Sequence, residues 1–159
     1  GVEVATKKHL KNVEGGLNLL DVRAVTEAGV MMLILKIRPR HPGQTKTALM
    51  AALSGPYLHP KLAIAVDEDI DANDLRQIAW SLTTRVHAER DVTMIPNTRV
   101  FSLDNISPTA PAMGNFARIG TKWMIDATIP AYLSENERRD FEPAFPLNFN
   151  NVNLKDYLP

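Results

Sequence analysis

The run Leu62-Ala63-Ile64-Ala65-Val66 constrains this chain more than any other feature. Alternate side chains of a strand point to opposite faces, so an unbroken apolar run leaves neither face for water. Such a strand is buried on both sides, as in a parallel sheet covered by helices. The next segment supplies a cover. Leu75, Ile78, Ala79 and Leu82 recur at helical spacing within 67–86, which predicts an amphipathic helix with Asp71 as N-cap and Asp74 in its first turn. Upstream, 17–25 and 30–38 read as strands joined by a turn at 27–29, close enough for a hairpin. Ala48, Leu49, Ala52 and Leu53 mark one face of a helix over 45–55 that stops at Gly55. A short helix within 5–15 is expected to end at Gly15-Gly16. Residues 91–95 and 122–128 read as further strands, with 96–121 between them as a long loop. Residues 135–140 suggest a helical turn, and 141–159 an extended, aromatic-studded tail. Strands alternating with helices define an α/β class: a mixed β-sheet flanked by helices, with an extended C-terminal tail, in a single domain spanning 1–159.

Charge and composition remove several function classes. Eighteen basic side chains balance eighteen acidic ones. Nucleic-acid binding draws on clustered lysine and arginine, so no nucleic-acid partner is expected. No apolar run approaches the ~20 residues that span a bilayer, and no secretory leader is visible, so no membrane partner is expected and a cytoplasmic setting is. The chain has no cysteine, which excludes disulfides, cysteine zinc sites and thiol nucleophiles.

The acidic run Asp67, Glu68, Asp69, Asp71 and Asp74 sits at the carboxyl end of the buried strand, where open α/β sheets place ligands. Carboxylates there suit a magnesium ion. The same residues suit helix capping and the helix dipole, and this reading weighs more. The four histidines, His9, His41, His59 and His87, stand too far apart for a helical or hairpin ligand pair. No G-x-S-x-G elbow and no phosphate-loop motif occurs. A glycine before the threonines of 42–50 could open a phosphate-binding helix start, although an ordinary cap explains it as well. Arg85, Arg90 and Asp91 suit an ion-pair cluster at a helix end. Phe101 and Leu103 either staple a polar loop to the core or wall an apolar pocket, and spacing leaves both open. The residues alone thus give a layered domain with a candidate pocket at the carboxyl edge of its sheet, and no reaction.

Three ordered segments do more. "PGQTKTALMAAL" (42–53), "KLAIAVDEDIDANDLRQIAWSLTTRVHAERD" (61–91) and "KWMIDATIP" (122–130) together resemble the C-terminal region of the UbiD family, over about 20–130. That family comprises reversible decarboxylases of aromatic and α,β-unsaturated carboxylic acids. The resemblance implies prenylated FMN as cofactor, delivered by a partner prenyltransferase and held with a divalent metal (Mn or Mg) and potassium. The family's catalytic arginine and acidic residues, like its metal ligands, belong to N-terminal domains that nothing in this chain matches. Hence no catalytic residue, no metal ligand and no tightly bound cofactor is expected on this chain alone, which is expected to be inactive by itself. The resemblance implies instead a C-terminal domain that contributes to homo-oligomer formation and closes one side of the active site. Tyr57, Leu58, Phe101 and Leu103 match positions that wall the substrate pocket in the ferulic acid decarboxylase branch. Ser54 stands where that branch places a phosphate-contacting lysine, and Lys61 is the nearest cation. The tail 131–159 lies outside the match. Two other readings remain: a non-catalytic assembly subunit that dimerises and docks a catalytic partner, and a metal-dependent α/β enzyme built on Asp67–Asp71.

Overall fold

The computed structural model describes residues 1–110, 118–143 and 155. Helix α1 (Val2–Leu10) leads through a short turn into strand β1 (Leu19–Ala24), which forms an antiparallel hairpin with β2 (Met32–Ile37). Gly29 closes the hairpin at φ 61°, a left-handed value that glycine adopts without steric cost. Helix α2 (Gln44–Leu53) then crosses to β3 (Leu62–Val66). Helices α3 (Leu75–Thr84) and α4 (Ala88–Asp91) precede β4 (Val92–Val100) and β5 (Arg118–Ala127). A short helix α5 (Glu135–Arg138) follows, fixed by a capping box between Ser134 and Glu137.

The five strands form one mixed sheet in the order β1-β2-β3-β5-β4. Strand β3 lies parallel to both β2 and β5, with Ile64 opposite Ile34 and Ile125. Strands β1 and β4 close the edges in antiparallel fashion. The apolar run is therefore central, and its two faces feed two cores. Ala63 and Ala65 face α1 and α2, where they meet Ala48, Leu49, Ala52 and Leu53. Small residues on both partners let α2 lie close to the sheet. Ile64 and Val66 face the other way, among Ile70, Ala72 and Ile78 below α3. Each fully buried isoleucine or valine contributes about 1.5–3 kcal/mol relative to an exposed one. The outer edge of β1 is guarded from α1, since the Ala24 amide donates to Glu3 Oε1 at 2.8 Å.

The helix over 67–86 is shorter than the spacing predicts. It starts at Leu75, and its cap is Asp74 rather than Asp71: Asp74 Oδ1 accepts from the Arg76 amide at 2.9 Å, while Asp71 closes a turn on the Asn73 amide. Its buried face also differs. Ile78, Ser81 and Arg85 point inward, whereas Leu75 is 44% exposed and Ala79 faces solvent. A second correction concerns 96–121. Strand β4 continues through Pro96 to Val100, and β5 begins at Arg118, so both ends of that stretch are sheet. Proline is tolerated because β4 is an edge strand and the register shifts between Ile95 and Thr98. The expected extended tail falls, from 144 onward and apart from Lys155, outside the described residues. Among the described residues, no helix is long and apolar enough to cross a membrane.

Candidate functional site

At the amino edge of the parallel strands, two loops meet. Residues 56–60 enter β3, and residues from Phe101 leave the end of β4, which pairs with the start of β5. His59 joins the loops. Its ring lies 4.0 Å from that of Phe101, at an interplanar angle of 32°, and 5.9 Å from that of Tyr57, edge to face. Tyr57 and Phe101 are thus brought together through His59. Leu58 and Leu103 flank them and are 38% and 67% exposed; Ile106 is 84% exposed. His59 is no loose loop residue: its ring is half-buried, and its Nδ1 is buried without a hydrogen-bond partner. Sequence spacing could not reveal this contact, because 42 positions separate His59 from Phe101 in the chain.

A polar network fixes the wall from behind. Lys61 Nζ donates to both carboxylate oxygens of Asp104, at 2.9 and 3.0 Å, and Ser107 Oγ donates to Asp104 Oδ2. Arg118 donates to the carbonyls of Ser102 and Ser107 at 2.7 and 2.6 Å. Burial acts to raise the Asp104 pKa, but the Ser107 hydroxyl and the Lys61 ammonium together outweigh it and hold the carboxyl below its usual range. Gly120 makes room for this packing, since a Cβ there would sit 2.4 Å from Ser107 Oγ. Lys61 is accordingly engaged with Asp104. Ser54 donates to the Ala51 carbonyl, and the ammonium that reaches this end of α2 belongs to Lys122, which donates to the Leu53 carbonyl at 2.7 Å. Sequence reading missed Lys122, a lysine inside a strand; its burial lowers its pKa.

The acidic run lies at the opposite edge. Asp67, fully buried, accepts from Arg138 Nη2 at 3.1 Å and from the Ile129 and Glu68 amides. Glu68 pairs with Arg38, which also holds Glu135. Asp69 takes a two-point contact from Arg85 at 2.8 and 2.5 Å; burial acts to raise its pKa, and Arg85 overrides that and lowers it. Arg85 also donates to the Phe141 carbonyl and lies 4.9 Å above the Trp80 ring. It therefore does not cluster with Arg90 and Asp91, which pair with each other at 2.6 Å. Every carboxylate of the run is engaged by a guanidinium or a backbone amide. Among the described residues, no three His, Asp or Glu side chains gather as metal ligands.

A cavity of about 250 Å³ does open at the carboxyl edge, between Gly43, Thr45 and Lys46 at the start of α2 and Asp91, Asp126, Thr128 and Tyr132. Burial raises the Asp126 pKa against the hydrogen bonds it accepts from the Thr128 hydroxyl and amide, and neighbouring Asp91 adds to the rise. The lining carries both signs, Lys46 and Arg90 with Asp91 and Asp126, and Arg90 pairs with Asp91. Tyr57, Leu58, Phe101 and Leu103 lie at the other edge of the sheet.

The fold is a layered α/β domain with an aromatic cluster of Tyr57, His59 and Phe101 at the amino edge of its sheet. The chain belongs to the family described as 3-octaprenyl-4-hydroxybenzoate carboxy-lyase C-terminal domain, which matches residues 2–127 and so takes in α1, the first two segments quoted above and most of the third. It is similar in structure to 3,4-dihydroxybenzoic acid decarboxylase from Enterobacter cloacae, with 27% identity, a TM-score of 0.74, and coverage of 98% of this chain and 31% of that one. It is similar also to vanillic acid decarboxylase from Sedimentibacter hydroxybenzoicus, with 29% identity, a TM-score of 0.72, and coverage of 98% and 30%. The UbiD-class enzyme HmfF from Pelotomaculum thermopropionicum, solved in complex with FMN, shares the fold at 24% identity and a TM-score of 0.76, over 99% of this chain and 32% of its own. The chain spans about a third of the length of these proteins.

The described residues alone do not fit a flavin. Ligand pockets run to about 300–1,000 Å³ and are mostly apolar. The cavity at the start of α2, of about 250 Å³, and a second of about 200 Å³ among the ion pairs of Arg38 with Glu68 and Arg138 with Asp67, are both smaller. No step of the chemistry is assigned to these residues.

Proposed function

We propose that this chain is the C-terminal domain of a carboxy-lyase that reversibly decarboxylates an aromatic or α,β-unsaturated acid with prenylated FMN, and that it acts in a cytoplasmic enzyme whose catalytic arginine, acidic residues and metal lie on other domains. Its part is to close the substrate pocket with Tyr57, Leu58, Phe101 and Leu103. The observation that carries this reading is the half-exposed aromatic wall at the amino edge, in a chain of this family that spans a third of its relatives. A partly open apolar wall backed by a fixed polar network suits a surface completed by another domain. Two of the relatives named above are decarboxylases of oxygenated benzoic acids, 3,4-dihydroxybenzoic and vanillic acid, which favours a ring-bearing acid as substrate.

The test is carbon dioxide release by the full-length enzyme loaded with prenylated FMN. Replacing Phe101 or Tyr57 by alanine is expected to lower kcat/KM by about 10-fold or more, as lost pocket packing does, while far-UV dichroism stays native. Unchanged kinetics in both variants would remove the pocket role. A second reading, an assembly surface, draws on Met94, 67% exposed on edge strand β4. Light scattering of the chain behind size exclusion tests it, and a strict monomer at high concentration counts against it.

A further inference from the structure

Among the described residues, His59 carries the buried side-chain polar atom that has no hydrogen-bond partner. Its Nδ1 is buried and unbonded. Its Nε2 makes no hydrogen bond among the described residues either, and the ring as a whole is only partly buried. In a singly protonated imidazole the proton settles on the nitrogen that can find an acceptor. That nitrogen is Nε2, since a proton on Nδ1 would be a buried, orphaned donor. The ring is held in place by stacking on Phe101 and by the Tyr57 edge, and Phe101 is held in turn by the Lys61–Asp104–Ser107 network at the start of its loop. His59 thus presents a fixed N–H beside a flat apolar face.

Resting on the decarboxylase reading, we propose that His59 is a specificity-determining residue: its Nε2–H selects acids that carry a neutral acceptor oxygen on the ring or chain, away from the carboxylate. The carboxylate itself is a poor match for this N–H. The surrounding wall is apolar, and the charge of Lys61, the cation beside it, is already neutralised by Asp104, so a charged group enclosed there would lose water with little compensation. An ether, hydroxyl or carbonyl oxygen loses far less on leaving water and gains one hydrogen bond.

The test uses near-isosteric pairs that differ only in the acceptor: 3- and 4-methoxybenzoate against 3- and 4-ethylbenzoate. Dissociation constants are measured by calorimetry on the full-length enzyme. The wild type is expected to prefer the methoxy member of at least one pair by about 3- to 10-fold, the net worth of one hydrogen bond. H59F keeps a ring against Phe101 and is expected to bring that ratio to one. H59Q places an amide N–H where Nε2 stood and is expected to regain part of it. No preference in the wild type, no binding of any of the four acids, a preference kept by H59F, or an H59Q enzyme no different from H59F overturns the proposal. Carbon dioxide release is followed separately on the same protein. A His59-dependent preference without turnover of any acid would sink the decarboxylase reading and leave the selection intact.

Discussion

Lys122, Met124 and Asp126 share one face of β5 and lie beneath α2, as the two-residue period of a strand dictates. Lys122 reaches the carbonyl of Leu53 at the negative end of the helix, and Asp126 lines the cavity at its positive end. Both charges complement the helix dipole, and both are taken partly out of water to do so. For Asp126 the cost wins. Its carboxyl keeps its proton to a higher pH than the ordinary 3.8, because of burial and of Asp91. The native state therefore binds more protons than the unfolded chain as pH rises from 3.8 through the raised value, and stability falls across that window. Asp126→Asn retains an oxygen for Thr128 and removes the charge. It is expected to raise the melting temperature at pH 7 and to flatten the decline above pH 4, as thermal unfolding across pH will show. Asp104 behaves oppositely. Its lowered pKa means that its ion pair with Lys61 stabilises above the ordinary 3.8 and is lost as pH falls below it. Lys61→Met leaves a buried carboxylate with only the Ser107 hydroxyl, at a cost of about 1–3 kcal/mol in urea unfolding.

Among the elements, β5 shows how one missing side chain admits a loop. Gly120 has an ordinary backbone conformation, so its role is space: Ser107 occupies the volume of its absent Cβ. Gly120→Ala is expected to cost about 1–3 kcal/mol through overpacking and to shift the amide resonances of 101–107. Adding Ser107→Gly should recover part of that loss, and strict additivity of the two changes would show that they do not touch. The elements themselves were mostly legible. Leu62–Val66 has no polar residue to mislead, and the alanines and leucines of α2 mark its buried face plainly. The misses share a cause, which is that local chemistry offers equivalents that only packing separates. Asp71 and Asp74 are equally good caps. Ser81 and Arg85 are buried, yet hydrophobic spacing cannot count them, so spacing puts the face of α3 through Leu75 and Ala79. Pro96 reads as a breaker until the strand order places β4 at an edge. Of the wall, the resemblance supplied Tyr57, Leu58, Phe101 and Leu103 as positions, but the orphaned nitrogen of His59 needed three-dimensional contact to be seen.

Across the described molecule, residues 135–141 are tied back to the middle of the sheet. Arg138 is buried against Asp67, and the Phe141 carbonyl receives Arg85, so α5 and the residues after it close the carboxyl edge. Arg138→Ala is expected to cost about 3–5 kcal/mol, because it leaves Asp67 charged and fully enclosed. The check is chemical denaturation, with release of 135–143 read by limited proteolysis. Strand β3 is 5 residues long, which puts about 16 Å between this buried ion pair and the aromatic rim. Substitutions that far apart, with no shared neighbour, add independently. In the proposed pocket role, exchanging the rings at one rim should therefore change which molecules are admitted without loosening the bolts at the other. A lineage could retune its diet repeatedly on the same chassis, one loop at a time.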